Sequence, residues 1–333
     1  MAADRCHAPL CQRSSEKGQI GCHSMASTPS NGLERMDAAT MNHQTDTDQD
    51  LVDLATAGDR HALEVLLRRQ QAWIFNLTFY MLHHRQDAED ATQEILVRVA
   101  TGLSSFRGAS TFRTWAHRIA VNHVLDRKRS RPETVVTGFD CYSDYLDRAP
   151  NEDFAGDEKD SPETAMLIKE AGISCTMGML LCLDRQQRMV FLLGEILDTN
   201  DVVGAELMGT TRENFRQLLA RARAKLSGFM RGRCGLVDPQ APCRCARKTR
   251  AFARDGIIDP KRIQFARGHM QSIDQDGESR ALALAAFQRA TLDNLRELYP
   301  WFEPPDVVAS LRRAIESDTA TALLDLHPSG GAS

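Results

Sequence analysis

The sequence predicts an all-α chain: two small helical domains joined by an acidic linker, with a helical C-terminal extension. Three observations carry that prediction. Apolar residues recur near i, i+3, i+4 spacing through most of residues 50–131 and 161–233. Helix-start signals precede several of these runs, among them Ser161-Pro162 and Asp184 followed by Gln187. No stretch alternates in the way a half-buried strand does.

Composition narrows the class. A chain of 333 residues has room for two small domains and more. Its 42% hydrophobic content is ordinary for a soluble protein, and no run approaches the ~18 apolar residues of a membrane span. The N-terminus lacks a positive-then-apolar leader pattern, so a cytoplasmic location is expected. Nine cysteines in such a chain argue against a disulfide scaffold and towards metal, redox or burial. The net charge of −4 hides strong segregation of sign. Basic residues cluster in 107–131, 212–233 and 244–254, whereas 133–163 is acidic, so local charge carries a nucleic-acid signal that the total conceals.

Residues 1–48 are polar and aperiodic, which predicts a disordered tail, and Met25, Met36 and Met41 leave a later start open. The first domain spans 49–131. Leu51, Leu54 and Ala55 lead to Leu63, Leu66 and Leu67, then Ile74, Leu77, Thr78 and Met81. A helix opening near Asp87 turns Ala88, Ala91, Ile95, Val99 and Leu103 inward, and Asp87, Asp90, Glu94, Arg98 and Thr101 outward. Gly102 and Gly108 interrupt it, and a helix resumes over 111–128 with Phe112, Trp115, Ile119 and Leu125 apolar. Pro132 ends the domain. Residues 132–160 have too little apolar pattern for a core and are expected to be a linker.

The second domain spans 161–233. Gly172, Cys175 and Gly178 weaken its first helix, and a further helix is expected from Asp184 through Leu197. A short helix over 201–208, Gly209 and a long helix over 211–230 form a helix-turn-helix, with Thr210 and Glu213 as a capping box. A cysteine-containing extension (234–270) and C-terminal helices (271–326) follow, the latter near 281–298 and 306–317.

Three constellations offer function. In the helix-turn-helix, Val203, Ala205 and Leu207 face Phe215, Leu218 and Leu219. Thr211, Arg212, Glu213, Asn214, Arg216 and Gln217 are then left at the exposed end of the second helix, where Arg, Asn and Gln can read base edges. Arg221, Arg223 and Lys225 suit phosphates. The competing reading is an α-hairpin with a solvated basic face. Between 106 and 131, Phe106, Phe112 and Trp115 alternate with Arg107, Arg113, Arg118, Arg127, Lys128 and Arg129, as single-stranded DNA binding requires. Here the competing reading puts Phe112 and Trp115 in the core. Asp87, Asp90 and Glu94 form a stripe better suited to solvent or a protein partner than to a metal, since no histidine lies at di-metal spacing.

Residues 87–131 resemble region 2 of bacterial RNA polymerase sigma factors of the extracytoplasmic-function (ECF) group. The motifs are D-A-E-D-x-x-Q-E, S-F-R-G and F-R-T-W-x-x-R-I-A-x-N. Residues 201–226 are similar to region 4, through A-E-L-M-G-T-T and F-R-Q-L-L-A-R-A-R. The likeness covers about half the chain. It implies a non-enzymatic subunit whose partners are core RNA polymerase, through its β′ clamp and β flap, and promoter DNA. Asp87, Asp90, Gln93 and Glu94 would dock on the clamp. The loop from Phe106 and the helix through Asn122 would melt and read the minus-ten element, capturing a flipped base. The helix from Thr211 would enter the minus-35 major groove, and the acidic linker would thread towards the RNA exit.

Cys234, Cys243 and Cys245 lie around Pro239 and Pro242 in a spacing that can converge on a thiophilic ion, with His269, Cys182 or Cys175 as a fourth ligand. Arg244, Arg247 and Lys248 are expected to lower the thiol pKa values. A buried turn with reduced thiols is the other reading, and no cofactor is otherwise required. The segment also resembles cysteine-rich tails of some ECF factors in which metal regulates activity. Cys6, Cys11 and Cys22, with His7 and His23, are expected to be incidental. Two other functions stay open: a helix-turn-helix regulator acting without polymerase, and a metal- or redox-sensing adaptor. The C-terminal helices are expected to cover the domain interface, as self-regulation or as the seat of a regulatory partner.

Overall fold

The computed structural model describes residues 47–261, 263 and 299–315, and their regular structure is helical throughout. Helix α1 (Asp48–Thr56) starts at a capping box between Thr47 and Asp50. Helix α2 (Arg60–Leu82), capped by Asp59, is the spine of the first unit, with Leu66, Ile74, Leu77, Tyr80 and Met81 fully buried. It stops at His83, whose left-handed φ of 54° turns the chain back. Helix α3 (Arg85–Gly102) runs back along α2 from an N-cap at His84, two residues before the expected start. Helix α4 (Phe112–Asp126), capped by Thr111, packs on α1, α2 and α3.

Residues 132–160 do not form the expected open linker. They contain most of α5 (Arg131–Val135) and all of α6 (Phe139–Arg148), with Tyr142, Tyr145 and Leu146 buried. Phe139, Tyr142 and Leu146 fall at i, i+3, i+7 and make a core stripe, while Asp140, Asp144 and Asp147 occupy the outer face. Only the stretch after Ala149 is an exposed connection, with a short 3₁₀ turn at Gly156–Asp160.

Helix α7 (Pro162–Leu180) runs unbroken through its glycines. At Gly178 a Cβ would sit 2.7 Å from the Tyr142 hydroxyl oxygen, and that hydroxyl donates to the Cys175 carbonyl at 2.9 Å. The weak helix formers therefore make the slot that α6 fills. Helix α8 (Arg185–Phe191), capped by Asp184, passes into a π-turn at Leu192–Ile196. Helices α9 (Asp201–Leu207) and α10 (Arg212–Arg231) follow, and α11 (Cys245–Arg254) packs on α7.

The two helical units share a buried polar junction. Glu133 ion-pairs with both Arg185 and Arg188 at 3.0 Å. Arg188 also donates to the carbonyls of Met81 (2.7 Å) and Leu180 (3.0 Å). Arg185 donates to the carbonyls of Val124, Leu125 and Arg127, capping the C-terminus of α4 from the other unit. A C-terminal strap lies across α2 and α3 and ends in α12 (Val307–Ile315), which matches the expected helix near 306–317. The helix expected over 281–298 and most of the N-terminal tail lie outside the described residues.

Candidate polymerase and nucleic-acid interface

On α3 the acidic stripe is only partly open. Asp90 and Gln93 are exposed and Asp87 is half-buried, its carboxylate 3.4 Å from the His84 ring. Gln86 donates to Asp90 at 3.1 Å. Glu94 is exposed but reaches across to α4, 2.9 Å from Arg127 and 3.2 Å from His123. The face is thus tied to the element that follows it, and Arg127 is engaged within the chain.

Between α3 and α4 the loop turns at Gly108, whose φ of 70° suits glycine. Phe106, Phe112 and Trp115 form one aromatic cluster with centroids 5.5–6.0 Å apart. Phe112 is only 3% exposed, so it packs the cluster and does not offer a face to a base, which corrects its assignment as a DNA contact. Phe106 and Trp115 are half-buried, and the Trp115 indole lies 3.5 Å from where a Cβ on Gly102 would stand. Arg107, Arg113, Arg118 and Asn122 are exposed around this cluster.

The helix-turn-helix is built by three local features. Asn200 caps α9 by accepting from the amides of Val202 and Val203. Gly209, with φ of 58°, makes the turn. The cap of α10 is Thr211, accepting from Asn214 N at 3.2 Å, and not the expected Thr210–Glu213 box. Gly204 lets the helices meet: a Cβ there would stand 2.5 Å from the ring of the buried Phe215.

Thr211, Arg212, Glu213, Asn214, Arg216, Gln217 and Arg221 are all exposed, as expected of a reading face. Several are nonetheless engaged. Asp201 ion-pairs with both Arg212 (3.3 Å) and Arg216. Asn214 donates to Thr210 at 2.7 Å. Arg223 pairs with Glu195, and Lys225 donates to Gln187 at 2.8 Å, so these two phosphate candidates are held within the chain. Arg118 on α4 meets Glu206 on α9 at 2.6 Å, joining the two candidate reading surfaces. Asp201 and Glu206 were missed by sequence reasoning. Asp201 stands one helix away from Arg212 and Arg216, Glu206 is 88 positions from Arg118, and no local signal in the sequence marks either pairing.

Residues 66–133 match the family described as Sigma-70 region 2, which takes in α3, the aromatic loop and α4. The chain is 36% identical over 131 residues to the RNA polymerase sigma-H factor of Pseudomonas aeruginosa, covering 37% of this chain and 63% of that one. It is 29% identical over 185 residues to the ECF RNA polymerase sigma factor SigM of Mycobacterium tuberculosis, covering 55% of this chain and 85% of that protein. With SigG of the same species the identity is 33% over 235 residues, 66% of this chain and 55% of SigG. The chain is thus similar to ECF RNA polymerase sigma factors, and its region 2 match lies at residues 66–133. It spans under two thirds of the sigma-H and SigG proteins it matches. Among the described residues, no helix is long and apolar enough to cross a membrane.

The cysteine segment of the chain folds back beside α7. Cys234 and Cys243 pair in an isolated parallel bridge, with Gly235 N donating to Cys243 O at 3.0 Å and Cys243 N to Arg233 O at 3.1 Å. Burial pushes the thiols of Cys234, Cys243 and Cys245 up, against the expected lowering, because loss of water outweighs the nearby Arg244 and Lys248. Cys182 is pushed up to about 12, again chiefly by burial. His269 lies outside the described residues. Among the described residues, no three His, Cys, Asp or Glu side chains already converge on one ion-sized point.

Proposed function

We propose that this chain is a promoter-specificity subunit that binds core RNA polymerase and directs transcription initiation at a two-part promoter. In this reading the exposed Asp90 and Gln93, with Asp87 and Glu94, dock on the β′ clamp. Arg107, Arg113, Arg118 and Asn122 read the minus-ten element beside the half-buried Phe106 and Trp115. The exposed N-terminal end of α10 enters the minus-35 groove, where Arg and Gln side chains can pair with base edges and Arg221 can meet phosphate. That unit also lies against the β flap. The subunit is not an enzyme; bond formation belongs to the polymerase, and the work is cytoplasmic.

The observation that carries the reading is order and spacing. A region 2 match at residues 66–133 is followed by a helix-turn-helix at α9 and α10, with its reading end exposed. The test is run-off transcription with purified core polymerase. Specific transcripts are expected from the cognate promoter, and Asp90→Lys with Gln93→Lys is expected to cut them at least tenfold while leaving the fold intact. A helix-turn-helix regulator acting without polymerase would instead bind duplex DNA alone with full specificity and be indifferent to those changes, and that result would overturn the proposal.

A further inference from the structure

Helix α11 has two unlike faces. One is buried: Phe252 stacks on Tyr145 with centroids 6.0 Å apart, and the Tyr145 hydroxyl donates to Asp255 at 3.0 Å. Lys248, only 6% exposed, donates to the carbonyls of Leu146 (2.7 Å) and Ala149 at the end of α6. These contacts seat the helix without help from its other face. That face carries Arg247, Arg250 and Arg254 at i, i+3 and i+7, so their guanidinium groups make one row along the helix.

The chain's own acidic connection covers the row. Arg254 pairs with Glu152, Arg247 with Asp153 at 3.3 Å, and Arg250 with Glu158. The Arg250 guanidinium also lies over the Phe154 ring, 4.8 Å from its centroid. Glu152 N donates to Arg247 O at 2.8 Å. One irregular segment thus brings three negative charges and an aromatic ring to three arginines. The arginine side chains stay 38–57% exposed, so each pair is weak and salt-screened.

We propose that the Arg247–Arg250–Arg254 row is a binding face for single-stranded nucleic acid, covered in the free chain by residues 152–158. The chemistry of the resident segment sets the class of the incoming ligand. An unpaired strand repeats both of its features: a charge on every backbone unit, and a base whose π-face is open to a guanidinium. Duplex DNA keeps its bases stacked and offers Arg250 no ring. A nucleic-acid strand also releases condensed counterions on binding, a driving force that spaced carboxylates lack. The covering segment is held at its ends, by Lys248 at Ala149 O and by the Ser161 cap of α7. It therefore lifts as a loop while α11 stays in place. The face is separate from the promoter reading, since α11 lies outside both the region 2 match and the helix-turn-helix.

The test measures fluorescence anisotropy of labelled oligo(dT), oligo(U) and a duplex of equal length with the full chain, without polymerase. Glu152→Gln with Asp153→Asn and Glu158→Gln is expected to tighten binding of a single strand about tenfold. A charge-matched control, Asp140→Asn with Asp144→Asn and Asp160→Asn, is expected to leave affinity near that of the wild type. Adding Arg247→Gln, Arg250→Gln and Arg254→Gln to the first variant is expected to abolish the gain and make the slope of log K against log salt shallower by about 2. Circular dichroism follows folding. Where a variant unfolds, photocrosslinking of thiolated oligonucleotides to the wild type at low salt is expected to mark the α11 peptide. Tightening towards DNA, RNA or both supports the face and names its strand. No tightening, an equal gain in the control or towards duplex, a gain that survives loss of the arginines, or crosslinks absent from α11 would each overturn the proposal.

Discussion

Trp73 and His117 stack with ring centroids 3.5 Å apart and planes within 5°, and the His117 ring lies 3.1 Å from Gln70 Oε1. This pair, His117 buried and Trp73 half-buried, sets α4 on α2 beneath the proposed minus-ten reader. Burial, with Arg113 nearby, holds the His117 pKa down at about 3. His83, at the turn out of α2, is also held to about 3 by burial and the charge of Arg188, while its ring meets the Met177 carbonyl. Both values lie below the ordinary 6.5, so between pH 6.5 and about 3 the unfolded chain binds more protons than the folded one. Stability from these two groups is therefore complete above pH 6.5 and is lost as pH falls. Each contributes a slope of about 1.4 kcal/mol per pH unit in that window. Urea unfolding is expected to show a loss of about 4 kcal/mol between pH 6.5 and pH 5, and His117→Gln is expected to remove roughly half of the slope. A flat profile over that range would contradict the buried neutral state of these rings.

Elements are joined here by polar groups as much as by apolar faces. Glu133 is buried between Arg185 and Arg188, and removing its charge leaves Arg188 buried and unpaired. Glu133→Gln is expected to cost about 3–5 kcal/mol in thermal or urea unfolding, with the rest of α5 unchanged. The C-terminal strap uses neutral amides instead. Asn76 donates to Phe302 O and accepts from Phe302 N, both at 2.8 Å, and Gln71 pairs in the same way with Pro305 O and Val308 N at 2.9 Å. Asn76→Leu keeps the volume but leaves two backbone groups unpaired, at an expected cost of about 2–4 kcal/mol and with faster protease cleavage between Tyr299 and Val307. Cleavage at the wild-type rate would show that the strap is held by its aromatic contacts alone.

The helices of both units were legible because long amphipathic periods and Thr, Asp or Ser caps are local signals, as at Asp184 and Ser161. Helix α6 was also legible in principle, since Phe139, Tyr142 and Leu146 keep a helical period that the surrounding aspartates mask in a composition count. The junction made by Arg185 and Arg188 carries no local signal, because the partners across it, Glu133 and Met81, lie 55 and 107 positions from Arg188, and the α4 carbonyls about 60 from Arg185. The reading face of α10 was visible from pattern, but its tie to Asp201 depends on how two helices cross.

At the scale of the whole molecule, the two proposed reading surfaces touch. Arg118 and Glu206 are 2.6 Å apart, and α4 packs on α9. The two promoter elements differ by about 25 base pairs in their names, roughly 85 Å of duplex at 3.4 Å per step. One molecule in this arrangement cannot occupy both, so the proposed two-part promoter reading requires the second unit to swing away from α4. The ion pair itself is half exposed and contributes no more than about 1 kcal/mol. Glu206→Gln is therefore expected to favour the open form by at most about fivefold. The larger barrier lies in the Glu133 junction and the capping of α4 by Arg185. Fluorescent labels introduced through non-natural residues at Ser104 and Ala220, both exposed, report the opening directly. Their separation is expected to stay short in the free protein and to lengthen by several tens of ångströms when core polymerase and promoter are added. Polymerase alone is expected to give part of the change, because docking through α3 leaves α10 without its DNA. An actively transcribing complex in which the labels keep their free-protein distance would mean that the two units read DNA without separating, and that the junction at Glu133 is permanent.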